Sequence, residues 1–306
     1  MIARLVRRSL PIAVSLLTAA VAAAAEPVAP PAADRVRVIV FGAQPDDAEY
    51  KAGGVAALWA RAGHAVKLVS VTNGDIGHWK EAGGPLARRR TSESAAVART
   101  LGVASEVLDI HDGELVPSLE NRRTITRLIR AWEADVVICH RPWDYHPDHR
   151  AVGMLVQDAA FLVTVPFFCP DVPALAKNPV FLYSSDSFRK PYPFEPDIVV
   201  AVDDVFELKV DALLALESQT FDGGINGPPP TLPPGRAPAA LRQWLRERWD
   251  SRQSGEAQRY REALAKWYGA DRAAAVRYAE AFEICEFGRQ PNDAEIRRLF
   301  PFFPQP

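Results

Sequence analysis

Between Val36 and Val202 the chain repeats one alternation: a short apolar run rich in β-branched residues, then a longer segment with apolar positions at helical spacing. Val36 to Phe41 shows no polar face after Arg37, the pattern of a strand covered on both sides. Gly53 to Arg61 follows with helical spacing and closes at Gly63. Ala65 to Thr72 predicts a second strand, Leu86 to Leu101 a helix stopped by Gly102, and Val107 to Ile110 a short third strand. Leu119 to Glu133 predicts a helix with Leu128, Ile129 and Trp132 on one side, Asp135 to Cys139 a fourth buried strand, and His149 to Phe161 another helix. Phe181 to Ser184 and Ile198 to Val202 predict two more strands, and Val205 to Ser218 a closing helix. Strands alternating with helices of this length imply right-handed βαβ units. The fold class predicted is α/β, a Rossmann-like, doubly wound and mostly parallel sheet.

The pattern changes at both ends. From Gly223 through Pro238 the density of Pro and Gly excludes helix and ladder, so a loop is expected. Leu241 to Tyr278 is charged and helix-prone, with Trp244, Leu245 and Trp249 at helical spacing, and predicts an α-helical C-terminal extension. Glu280, Glu283 and Glu286, three apart, predict one solvated helix face. At the start, Arg4, Arg7 and Arg8 precede an apolar run from Leu10 to Ala25 that ends in small residues. That is the arrangement of a secretory signal peptide, an uncleaved anchor being the alternative. The expected division is residues 1–25 signal peptide, 26–35 linker, 36–222 α/β domain, and 223–306 Pro/Gly-rich loop with helical extension. The expected location is exported, periplasmic or secreted, with no stable membrane span after cleavage.

Composition adds little beyond exclusions. A chain of 306 residues with 48% apolar and 24% charged residues has ordinary globular content. A formal charge of −2, and −5 once the three N-terminal arginines are removed, argues against a nucleic-acid binder. Cys139, Cys169 and Cys285 form no zinc or redox spacing. Cys139 reads as a buried strand residue, while Cys169 and Cys285 could pair in an oxidising compartment.

Ligands of an open parallel sheet bind outside the carboxyl ends of its strands. Four such loops carry polar residues: Gln44, Asp46 and Asp47 after the first strand, Asn73 and Asp75 after the second, His111, Asp112 and Glu114 after the third, and His140 to His149 after the fourth. Adjacent aspartates on one loop and histidines three apart on another are suited to a mononuclear metal site with a general base. Plain structural roles compete at each position. Asp46 and Asp47 could cap a helix, His146 and His149 could do the same, and Arg90 with Glu93 could be an i,i+3 ion pair. Asp112 could form a turn before Gly113, and Asp75 with His78 could lie in a solvated turn.

Two motifs carry a family resemblance. Phe41-Gly42-Ala43-Gln44-Pro45-Asp46-Asp47 resembles the A-H-P-D-D-E signature, and Tyr145-His146-Pro147-Asp148-His149-Arg150 the H-P-D-H motif, of the LmbE-like/PIG-L family of zinc-dependent N-acetyl-sugar deacetylases. Arg90-x-x-Glu93, Asp112-Gly113 and Ser218-Gln219 extend it over residues 36–219. The resemblance implies Asp47 and His149 as zinc ligands, Asp46 as the base that takes a proton from water, and His146 as the group that stabilises the oxyanion or protonates the leaving amine. Arg90, Asp75 and Asp112 are the expected substrate contacts, and a small N-acetylated sugar or glycan the expected partner.

The chain departs from the family pattern at two positions. Gln44 stands where the third metal ligand is histidine, and a neutral amide is a poorer zinc donor than imidazole. Leu216 stands where an H-x-S-Q pattern would have histidine. Three readings follow: a deacetylase with the ligand set Gln44, Asp47 and His149, a glycan-binding pseudoenzyme without tight zinc, or a different metal-assisted hydrolysis. Retention of Asp46, Asp47, His146 and His149 favours an enzyme, because a binder has no need of a base beside a ligand.

Overall fold

A computed structural model describes residues 34–304. The N-terminal segment read as a signal peptide, with nearly all of the linker, lies outside the described residues. The elements in chain order are β1 (Arg37–Gly42), α1 (Asp47–Arg61), β2 (Ala65–Ser70), α2 (Gly84–Leu101), β3 (Ala104–Val107), α3 (Leu119–Ala131), β4 (Val136–Cys139), α4 (Pro147–Leu162), β5 (Val180–Ser184) and β6 (Ile198–Ala201). They continue with α5 (Phe206–Leu213), α6 (Glu217–Thr220), α7 (Pro238–Arg259), α8 (Arg261–Tyr268), α9 (Ala270–Ala275), β7 (Ala279–Gly288) and α10 (Asp293–Leu299).

The apolar strands behave as their sequences require. Val38 and Val40 of β1, Val136 and Ile138 of β4, and Val180 and Leu182 of β5 pack into one core with α1, α2 and α5. The intervening Ile39, Phe41, Val137, Cys139, Phe181 and Tyr183 pack into a second core with α3 and α4. Period-two alternation thus feeds two apolar layers, which is why these strands carry no polar face. The third strand lies earlier than expected, at Ala104–Val107: it is the edge strand, half exposed, so its apolar run gave a poor guide to its limits.

The sheet order is β3-β2-β1-β4-β5-β7-β6. Strands β1 to β5 are parallel, and β7 runs antiparallel to both β5 and β6. The order reverses between β1 and β4, which opens a crevice at their carboxyl ends.

The C-terminal segment corrects two expectations. Residues 223–306 do supply the helices α7 to α10, but they also supply β7, which completes the sheet between β5 and β6. Glu280, Glu283 and Glu286 therefore lie on a strand and not on a solvated helix face. Glu280 is buried, and its carboxylate accepts the backbone N–H groups of Gly54 (2.9 Å) and Val55 (2.8 Å) and the Lys209 ammonium (2.7 Å). Lys209 in turn donates to the Tyr50 carbonyl, so a buried ion pair stitches α1 to α5 and β7. The three cysteines are buried free thiols, and Cys169 does not pair with Cys285. No described helix is long and apolar enough to cross a membrane.

Candidate active site

The β1–α1 loop is built to aim carboxylates. Pro45 turns the chain after Gln44, whose carbonyl accepts the N–H groups of both Asp46 and Asp47. Oδ2 of Asp47 folds back to accept the N–H groups of Ala43 (3.0 Å) and Gln44 (2.8 Å). Gly42 is required by the closeness of this fold: a Cβ there would lie 2.7 Å from the Asp47 Cβ and 2.8 Å from the Ala48 nitrogen. Asp46 heads α1 without capping it through its side chain, which leaves the carboxylate free to face the crevice.

Two imidazoles arrive from the β4–α4 side. His140 leaves the end of β4 and His149 stands in the first turn of α4, and their rings stack at 4.0 Å and 15°. Nε2 of each lies 3.4 Å from the same oxygen, Oδ2 of Asp47. Nδ1 of His149 is 3.1 Å from Oδ1 of Asp144, a partner that turns Nε2 toward Asp47. His146 caps α4 by accepting the Asp148 N–H at Nδ1, so the capping and the chemical readings of this residue use different ring nitrogens.

Gln44 bridges this cluster to its neighbours. Its amide nitrogen donates to Asp112 Oδ1 (2.7 Å) and Asp148 Oδ2 (3.1 Å), and its Oε1 lies 3.0 Å from His149 Nε2. Asp148 also accepts the N–H groups of Gly113 and Leu115, which ties the β3–α3 loop to α4.

Arg90, buried at 1% exposure, extends one guanidinium nitrogen to Asp46 Oδ1 (3.2 Å) and another to the Gly74 carbonyl (3.1 Å). It forms no ion pair with Glu93, which instead accepts from the Ser218 hydroxyl and backbone and pairs with Arg89. Asp75 does not line the cavity. Its carboxylate receives the Asp112 N–H (3.1 Å) and contacts His111 Nδ1 (2.6 Å), so it positions Asp112.

The two adjacent aspartates have opposite electrostatics. Burial raises the Asp46 carboxyl from 3.8 to about 6, with Arg90 opposing and the Asp47 charge adding to the rise. Burial acts the same way on Asp47, but His149, His140 and the Gln44 N–H outweigh it and hold that carboxyl well below the usual range. Burial lowers His140 despite Asp47, whereas Asp47 and Asp144 outweigh burial at His149 and raise it.

Asp47, His140 and His149 each offer a donor atom, all within 4.8 Å of one another. One carboxylate and two imidazoles fit a divalent metal of the zinc type with an open fourth position. A second group, Asp112, His146 and Asp148, converges as closely; there the Asp148 carboxylate accepts two N–H groups and the Gln44 amide.

Gln44, Asp46, Asp47, Arg90, Asp112 and His149 line a cavity of about 690 Å³. Tyr145 and His146 also line it, as do the loop 223–230 and Leu245 and Trp249 of α7. The Trp-bearing C-terminal extension therefore walls the site.

A model described as PIG-L, GlcNAc-PI de-N-acetylase, matches residues 39–160. A diacetylchitobiose deacetylase from Thermococcus kodakarensis is 30% identical over 192 residues, 61% of this chain and 71% of that protein. The chain belongs to the PIG-L family. A solved N,N'-diacetylchitobiose deacetylase from Pyrococcus horikoshii superposes with a TM-score of 0.62 at 26% identity, covering 81% of this chain and 83% of the other. A 4-oxalmesaconate hydratase from Pseudomonas putida is 26% identical over 192 residues, 59% of this chain and 73% of that protein.

His140 and Asp144 were not singled out as site residues from the sequence. The available signal was positional: His140 is the first polar residue after a buried strand at the point where the sheet order reverses. The short H-x-x-H spacing of His146 and His149 drew the chemistry to itself.

Proposed function

We propose that this chain is a metal-dependent hydrolase that releases acetate from an N-acetylated sugar or a related small amide. The observation that carries the reading is Asp46, a carboxyl raised to about 6 and held by Arg90 beside the Asp47, His140 and His149 donors. Asp47 and His149 would hold the metal, which when bound supplies Lewis acidity that activates water and polarises the acetyl carbonyl. Asp46, ionised at neutral pH, accepts the proton released as water oxygen bonds to the acetyl carbon. His146, in the cavity lining, donates to the developing oxyanion and then to the amine nitrogen as the C–N bond breaks. Acetate and a free amine leave. The loop 223–230, Leu245 and Trp249 give a concave apolar wall for the body of a sugar ring. With residues 1–25 read as a signal peptide, exported glycans are the favoured substrates.

Membership of a family with deacetylases among its relatives supports this reading. The experiment is acetate release from N-acetylglucosamine and diacetylchitobiose by metal-loaded protein, with a chelator-treated control. Absence of acetate from these and from a panel of small acetamides would remove the proposal.

A second reading, addition of water across a carbon–carbon double bond of a carboxylated substrate, has its own support. The hydratase relative spans the same length of chain, and Arg248 and Arg252 of α7 line the cavity without a carboxylate partner among the described residues. Loss of the conjugated ultraviolet absorbance of an unsaturated dicarboxylate, with no acetate released from amides, would favour it.

A further inference from the structure

We infer that His140 replaces the missing first-motif histidine as the third metal ligand, and that Gln44 serves as a bridge outside the coordination sphere. The inference rests on the metal-dependent reading above and concerns which side chains hold the ion.

Three observations carry it. The Nε2 atoms of His140 and His149 address one oxygen, Asp47 Oδ2, at the same distance of 3.4 Å. Donors bound at ~2.0–2.1 Å around a tetrahedral ion sit roughly 3.3–3.4 Å apart, so these pairs already have the edge lengths of a zinc site. Second, His140 is 3% exposed, and its Nε2 meets only long contacts: the Ala43 N–H at 3.3 Å, a hydrogen already given to Asp47 at 3.0 Å, and the Asp47 carboxylate at 3.4 Å. A buried imidazole nitrogen aimed into a carboxylate–imidazole cluster with so weak a partner lacks a full hydrogen bond. Third, the Gln44 side chain is anchored through its amide nitrogen, held by Asp112 and Asp148, and its Oε1, 3.0 Å from His149 Nε2, is a neutral amide oxygen, a poorer donor to zinc than the His140 imidazole.

The fold also keeps His140 in place. A Cβ at Gly153 would lie 2.9 Å from the His140 carbonyl oxygen and 2.8 Å from the Pro142 nitrogen, so α4 packs directly on the backbone that carries this ring. Asp47 and His149 line the cavity and His140 does not, so a metal held by the three would be reached from the cavity past Asp47 and His149.

The test uses the full chain, stripped with chelator and reloaded with Zn²⁺ or Co²⁺, with content read by elemental analysis and affinity by competition with a chromophoric chelator. His140→Ala and His149→Ala should each lose at least about a hundred-fold in affinity, beyond the range expected when only a partner of a ligand is removed. Gln44→Ala should stay within about ten-fold of wild type. His140→Cys guards against a folding artefact: folded, Co²⁺-loaded protein should gain a near-ultraviolet thiolate-to-cobalt charge-transfer band. Stoichiometric metal that survives in His140→Ala but is lost in Gln44→Ala, or a Co²⁺-loaded His140→Cys without the band, overturns the inference and leaves the proposed function standing. Wild-type protein that takes up no metal overturns both.

Discussion

Arg90 crosses beneath the loop that follows β2 and places a guanidinium nitrogen 3.2 Å from Oδ1 of Asp46. Burial raises this carboxyl and Arg90 is the largest opposing influence. Removing the charge by Arg90→Gln therefore moves Asp46 further above about 6. A general base works when ionised, so the acidic limb of the kcat/KM profile should shift to higher pH. Activity at neutral pH should fall by roughly ten-fold for each unit the limb passes beyond neutrality. A limb that stays in place at unchanged metal content would mean that Arg90 does not govern the base.

Asp46→Asn keeps the shape of the side chain and removes its basicity. Turnover should drop by roughly 10²–10⁴-fold, the ordinary contribution of a positioned base. Metal content should match wild type, because Asp46 is not among the converging donors. Normal turnover in this variant would rule out Asp46 as the proton acceptor.

Asp144 acts through His149, with Oδ1 at 3.1 Å from Nδ1. Asp144→Ala frees the ring to rotate and weakens its donor nitrogen. Metal affinity should fall by about 10–100-fold while the fold is retained. Titration of stripped protein with Zn²⁺ measures this directly, and unchanged affinity would show that packing alone orients His149.

The fold was legible wherever burial on both faces wrote itself into the chain. The runs Val38–Phe41, Val136–Cys139 and Val180–Tyr183 are the centre of the sheet, and each was visible as an apolar run. Strand β7 was not, because its face toward α1 and α5 includes Glu280, a carboxylate buried against Lys209 and two backbone N–H groups. A buried charge reads as exposure in sequence, and three glutamates three apart imitate a helix face. The site was legible in the loops Gln44–Asp47 and His146–His149, where short spacing and proline turns concentrate the chemistry. His140 was hidden since its partners, Asp47 and His149, meet it only through the pairing of β1 with β4.

The same carboxylate supports a stability prediction. Glu280→Ala leaves the Lys209 ammonium buried and exposes two N–H groups of α1 to an apolar surround. Breaking one partner of such a pair costs about 3–5 kcal/mol. Glu280→Gln, which keeps an acceptor for the N–H groups, should cost less. Denaturant unfolding of both variants checks the order, and equal stabilities would mean that the pair adds nothing beyond packing.

Glu49 gives a prediction about pH. Its carboxyl is 2% exposed in α1, accepts a hydrogen bond from the Ser94 hydroxyl, and is raised from 4.5 to about 7 by burial, against that bond and with the charges of Asp46 and Asp47 adding to the rise. Below pH 4.5 the acid is protonated in folded and unfolded chains alike, and its neutral form is accommodated. Between 4.5 and 7 the unfolded chain releases the proton first, so stability is lost as pH rises through this window. The ceiling on that loss is about 3 kcal/mol. Glu49→Gln mimics the neutral acid and can still accept from Ser94. Denaturant midpoints of metal-free wild type and variant should therefore converge near pH 4.5 and separate toward pH 7, with the variant the more stable. Parallel curves across this range would show that Glu49 ionises in the folded protein as readily as in the unfolded chain.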